Sequence, residues 1–141
     1  MEEFSPATVP VALGDRSYTI HIGVDNLGLL RDFLESDRAP RGAVGLVTDT
    51  NVGPLYAERV VEQVRAAGRD CAVHVMPAGE EAKCLDRVGE ICGAFLGAGL
   101  DRAGLLVALG GGVVGDIAGF AAAVFMRGVP FVQIPTTIVA Q

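Results

Sequence analysis

Five apolar residues, Leu105-Leu106-Val107-Ala108-Leu109, run directly into Gly110-Gly111-Gly112, and a second apolar stretch, Val113 to Phe125, follows at once. A short apolar run without polar alternation reads as a strand covered on both faces, the pattern of parallel sheets. The glycines turn the chain. The stretch behind them is long enough for a helix, apolar nearly all round, with Asp116 its main exception. This segment confines the chain to a layered α/β fold, and a helix so apolar is expected to lie buried between layers.

The remaining segments repeat the theme. Ala43 to Val47 and Ala72 to Met76 read as further strands, and Phe131 to Ile134 as the last. Between them, Val52, Tyr56, Val60, Val64 and Ala67 fall on one helical face, with Pro54 in the first turn and Gly68 as the stop. Glu80 and Glu81 are expected to open another helix, where acids suit the positive end of the dipole. Its stripe is Leu85, Val88, Cys92 and Phe95, and Gly97 and Gly99 close it. Ahead of these units, Val9, Val11 and Leu13 alternate, as do Tyr18, Ile20 and Ile22, which predicts a hairpin with one face buried. Asp25-Asn26 offers a cap for a helix carrying Leu27, Leu30, Phe33 and Leu34. Alternating strands and helices with short connections give a mainly parallel sheet flanked by helices.

Composition excludes several functions. The 141 residues suit one domain with its own core. A net charge of −6 argues against a nucleic-acid binder, since phosphate contacts need clustered Lys and Arg. The longest apolar stretch is too short to span a bilayer, so no membrane partner is expected. The three cysteines, Cys71, Cys84 and Cys92, form no CxxC pair and read as reduced thiols of a cytoplasmic protein. His21 and His74 lack metal-ligand spacing, so no metal site is expected from this chain alone.

The chemistry-bearing motif is Gly110-Gly111-Gly112-Val113-Val114-Gly115-Asp116, a G-x-G-x-x-G between a strand and a helix. There the backbone approaches a pyrophosphate closely and the helix dipole favours its charge. The ordinary fingerprint places an acid about 20 residues later to hold a ribose. Here that region, Phe131 to Thr137, has none, and the nearest acids are Asp116 and Asp49. Without a ligand, the same glycines would make a tight strand–helix turn. Three other groups stand where ligands sit in such sheets, and Arg127 stands at the end of the apolar helix, each with a plainer alternative. Asp49 and Asn51 bind or cap a helix. Glu80 and Lys83, three apart, hold a nucleotide or form a surface ion pair on one helix face. Thr136 and Thr137 contact a ribose or amide, or cap. Arg127 meets a phosphate, or merely neutralises a helix C-terminus.

Taken together, Val47-Thr48-Asp49-Thr50-Asn51-Val52, Pro77 to Lys83 and the long run Ala108 to Gln141 resemble the 3-dehydroquinate synthase family of sugar phosphate cyclases. The last run carries GGGVVGD, AGF, RGV and a Pro-Thr-Thr that leads to Ala-Gln. The resemblance extends from the opening hairpin to Gln141. It implies a Rossmann-like NAD-binding domain over residues 1–141, with an N-terminal β-hairpin. It further implies that Asp49, Asn51, Glu80 and Lys83 hold the adenosine half of NAD. Gly111, Gly112 and Val113 would give backbone contacts to the pyrophosphate. Asp116, Thr136 and Thr137 would contact the nicotinamide side, and Arg127 would reach the substrate phosphate across a homodimer interface. The family converts 3-deoxy-D-arabino-heptulosonate 7-phosphate to 3-dehydroquinate and phosphate, with zinc or cobalt. Its metal ligands and catalytic lysines follow the Thr-Thr segment and lie beyond Gln141, so this chain is expected to be inactive alone. Other sugar phosphate cyclases, acting on inosose or valiolone precursors, remain an alternative, as does a stand-alone nucleotide-binding module.

Overall fold

The computed structural model describes residues 5–141. Four parallel strands form one sheet: β3 (Val44–Asp49), β4 (Cys71–Met76), β5 (Leu105–Gly110) and β6 (Phe131–Pro135), in the spatial order β4-β3-β5-β6. Helices α1 (Gly28–Glu35) and α2 (Gly53–Ala66) cover one face, packing Leu30, Leu34, Val60 and Val64 on Val44, Leu46, Val107 and Leu109. Helices α3 (Leu85–Gly97) and α4 (Gly112–Val124) cover the other, packing Ile91, Phe95, Ile117 and Ala121 on Val47, Leu106 and Ala108. Strand β5 is buried along its whole length, as its unbroken apolar run requires. Gly68 and Gly99 end α2 and α3 with φ of +72° and +85°, which glycine adopts without steric penalty.

The order of strands decides where a ligand can enter. The chain passes from β3 to β4 on one side, then crosses back over β3 to lay β5 on the other. Connections leave β3 and β5 in opposite directions, opening a crevice at their carboxyl ends, the usual ligand position in open α/β sheets.

Several expectations are corrected. The hairpin forms from β1 (Ala7–Val11) and β2 (Tyr18–Ile22), with Val9 opposite Ile20, but it buries neither face. It is a separate two-stranded sheet, and Tyr18, Ile20 and Ile22 are exposed because none of the described helices packs extensively across it. Asp25 and Asn26 do not cap α1. Asp25 has a left-handed backbone and pairs with Arg59, while Leu27 precedes the helix without a side-chain bond. On α2, Tyr56 is exposed although Val60 and Val64 are buried. Helix α3 starts at Leu85, itself exposed, because Glu80 to Ala82 form only one 3-10 turn. Helix α4 is not covered on all sides. Val114, Ile117, Ala118 and Ala121 face the sheet, whereas Phe120 and Val124 are half exposed.

Candidate functional site

The bend between β5 and α4 is built by packing rather than by unusual backbone angles. None of Gly110, Gly111, Gly112 or Gly115 has a positive φ. A Cβ on Gly110 would stand 2.6 Å from Val114 Cγ2, and one on Gly115 would stand 2.9 Å from Gln133 Nε2. Those two glycines let the helix sit close to the strands. A Cβ on Gly111 would meet Thr137 Cγ2 at 3.2 Å, so the bend also lies against the segment after β6. Gly112 differs: a Cβ there would meet nothing within 4 Å. The mouth of the bend is therefore open.

The backbone at this mouth is suited to an anion. The amides of Gly112, Val113 and Val114 lie in the first turn, where an α-helix offers no intrahelical acceptor. The first ladder bond is Gly115 N to Gly111 O, 3.0 Å. Gly111 precedes the helix and supplies no side-chain cap. The amides of the partly exposed Gly112 and Val113 thus open on this space with the positive end of the dipole, while Val114 is fully buried.

Loops at the carboxyl ends of the other strands surround this mouth. After β3, Asp49 Oδ1 accepts from the amides of Asn51 and Val52, each at 2.8 Å. Asp49 does not cap α2, which Val52 precedes without a side-chain bond; its Oδ1 instead holds the loop ahead of the helix. Asn51 is exposed beside it. After β4, Glu80 and Lys83 are exposed, but they do not form the ion pair that their spacing suggests. A 3-10 turn places them differently from an α-helix, and Lys83 Nζ instead meets Asp116 Oδ2 at 2.5 Å. That carboxylate raises the Lys83 pKa through its hydrogen bond and its charge, with a smaller contribution from Glu80. After β6, Thr136 N donates to Gly110 O at 2.9 Å, and Thr137 Oγ1 accepts from Ala140 N at 3.3 Å. Thr137 is thus a cap, as its plainer reading held, and it also walls the glycine bend.

One candidate stands apart. Arg127 follows the far end of α4 from Gly112, a helix rise of about 20 Å at 1.5 Å per residue. It cannot share a site with the glycines of its own chain. Met126 and Arg127 both take left-handed backbone angles, φ +49° and +68°, and Arg127 is exposed. A residue to which the sequence analysis gave no role of its own is Thr50. It bridges the loops after β3 and β4, bonded to Met76 O and Ala78 N. Its position between Asp49 and Asn51 was the only local signal, because the partners lie 26 and 28 residues away. Among the described residues no group of three or more His, Cys, Asp or Glu is placed to hold a metal ion.

Comparison with known proteins places the chain in a family. The family described as 3-dehydroquinate synthase N-terminal matches residues 73–141, the part that carries Glu80, Lys83 and the glycine bend. The 3-dehydroquinate synthase of Acidithiobacillus ferrooxidans is 50% identical over 131 residues, 92% of this chain and 35% of that protein. That of Desulforamulus reducens is 48% identical over 134 residues, 95% of this chain and 37% of that protein. The chain thus spans about a third of the length of these curated relatives. Among solved structures, a 2-deoxy-scyllo-inosose synthase, complexed with carbaglucose-6-phosphate, NAD+ and cobalt, superposes with a TM-score of 0.85 at 25% identity. The alignment covers 95% of this chain and 36% of that one. The 2-epi-5-epi-valiolone synthase of Streptomyces hygroscopicus, with NAD+ and zinc bound, superposes with a TM-score of 0.66 at 30% identity, over 90% and 34% of the two chains. In sequence, in its parallel sheet and in its glycine bend, the chain belongs to the 3-dehydroquinate synthase family.

Proposed function

We propose that this chain is the NAD-binding part of a 3-dehydroquinate synthase, which converts 3-deoxy-D-arabino-heptulosonate 7-phosphate to 3-dehydroquinate and phosphate. The observation that carries the reading is the open first turn of α4, where unpartnered amides face space beside Gly112. A diphosphate matches that cradle in charge and in donor number. On one side of it, the carboxylates of Asp49 and Glu80 accept hydroxyls of the adenosine ribose, as acids at strand ends do in dinucleotide sites. Asp49 Oδ2 is open for this, since only Oδ1 is used by the loop. Asn51 and Lys83 complete that half. On the other side, Asp116, Thr136 and Thr137 stand beside the bend and take the nicotinamide half. Lys83 and Asp116 pair with each other across the mouth, and both are more than a third exposed. Such an exposed pair is worth little and yields to a ligand that engages both groups.

When bound, NAD supplies a reversible hydride acceptor, so a substrate hydroxyl can be oxidised transiently and the ketone reduced again. The chain's own contribution is to hold and orient that cofactor. Arg127 serves the phosphate of a substrate held by a second copy, in a homodimer, because it cannot reach the bend of its own chain. The described residues do not fit a zinc or cobalt site, and metal ligation is not assigned to them. The net charge of −6 supports a small-molecule partner over a nucleic acid. No helix among the described residues is long and apolar enough to cross a membrane. Three free thiols suit the reducing cytoplasm.

The inosose and valiolone synthases support a second reading, a cyclase for another sugar phosphate. Identity of 48–50% to dehydroquinate synthases, against 25–30% to those structures, favours the first. Calorimetric titration of the chain with NAD+ tests the cofactor assignment. Saturable binding is expected, weakened at least about tenfold in Gly112→Val, whose side chain fills the open mouth. A chain that binds no NAD+, or a variant that binds as tightly as the parent, contradicts it.

A further inference from the structure

The loops after β3 and β4 carry Asp49, Asn51, Glu80 and Lys83, and Thr50 stitches the two together. Its amide donates to Met76 O at 3.0 Å, and its Oγ1 accepts from Ala78 N at 3.2 Å. Thr50 is itself held, because Asp49 Oδ1 gathers the amides of Asn51 and Val52 on its far side. The segment it grips has few other restraints. Pro77 has no N–H to donate. Gly79 takes a φ of +106°, open to glycine and strained for other residues. Immediately afterwards the 3-10 turn begins, closed by Ala82 N to Gly79 O and Lys83 N to Glu80 O, both 3.0 Å. The bond to Ala78 is thus the last tie to the sheet before Glu80 and Lys83.

We infer that Thr50 is a positioning residue: its hydroxyl fixes the 77–79 segment and thereby sets Glu80 and Lys83 over the crevice between β3 and β5. Its purpose rests on the NAD reading above, whereas its geometry does not. Thr50 is exposed at the surface, so its replacement leaves the core intact. The two claims separate in one set of variants, Thr50→Val, which keeps the shape and loses the acceptor, and Thr50→Ser, which keeps the acceptor.

Amide hydrogen exchange without cofactor reads the geometry. Thr50→Val is expected to speed exchange at Ala78 about fivefold or more, as the loss of one hydrogen bond allows, with β3 and β5 unchanged. Thr50→Ser is expected to retain the parental rate. Calorimetry with NAD+ reads the purpose, with affinity about fivefold weaker in Thr50→Val and restored in Thr50→Ser. Unchanged exchange at Ala78 in Thr50→Val overturns the inference whatever the affinities are. Faster exchange with undiminished NAD+ affinity overturns the positioning role at the cofactor site. Faster exchange in a chain whose parent binds no NAD+ upholds the loop anchor and refutes the cofactor reading instead.

Discussion

His74 shows how one partly buried side chain ties stability to pH. It lies on β4 edge-on to Phe95, with ring centroids 6.5 Å apart and planes at 76°. Its Nε2 is buried without a hydrogen-bond partner. Burial lowers its pKa below the ordinary 6.5, opposed by the charge of Glu90 and reinforced by that of Arg87. The unfolded chain therefore takes up this proton at a higher pH than the folded one. The associated stability is fully present above pH 6.5 and is lost as pH falls through the lower folded value. Melting curves between pH 7.5 and 5 are expected to show a falling Tm on acidification, and a shallower fall in His74→Phe. Equal slopes in the two proteins contradict this account. Cys71 and Cys92 follow the same rule of burial: both thiols are raised, that of Cys71 to about 11, as befits packing residues rather than nucleophiles.

At the scale of elements, the strand–glycine–helix unit depends on close approach of α4 to the sheet. Gly110→Ala would place a Cβ 2.7 Å or less from Val114 Cβ and Cγ2, so the helix must move away. Overpacking of this kind costs about 1–3 kcal/mol. A drop in Tm of about 3–10 °C is expected. Gly112→Ala, which meets nothing within 4 Å, is expected to leave Tm within about 1 °C. This unit was legible in the sequence because an unbroken apolar strand and its glycines signal their environment locally. The same holds for β3, β4 and β6, whose apolar runs locate them to within a residue or two. Other features had no local signature. Acids at Glu80 and Glu81 suit the start of either a 3-10 turn or an α-helix, so the true start at Leu85 was hidden. The partner of Lys83 lies on another helix, which spacing along one helix cannot reveal. Alternation in the hairpin correctly predicted β1 and β2, yet a pattern states which face is apolar, not whether anything covers it.

For the whole molecule, strand order explains why an acid is missing where a dinucleotide fingerprint ordinarily has one. The glycine bend follows the third strand of the parallel sheet rather than the first, and the chain has already crossed back over β3. The strand beside the bend that carries an acid at its end is therefore β3, with Asp49, which precedes the glycines in sequence. The same geometry separates Arg127 from the mouth by the length of α4. Arg127→Ala is accordingly expected to leave NAD+ affinity of this chain within about twofold of the parent by calorimetry, about 0.4 kcal/mol. A loss of tenfold would bring Arg127 into its own chain's site and refute that separation. The central claim is that the first-turn amides of α4 receive a diphosphate. Amide chemical shifts of the isotopically labelled chain, followed by NMR during titration with NAD+, test it most directly. Gly112 and Val113 are expected to move most, in a saturable manner, and inorganic pyrophosphate is expected to displace the same signals. Saturable binding that leaves these two amides unmoved while distant ones shift would contradict it.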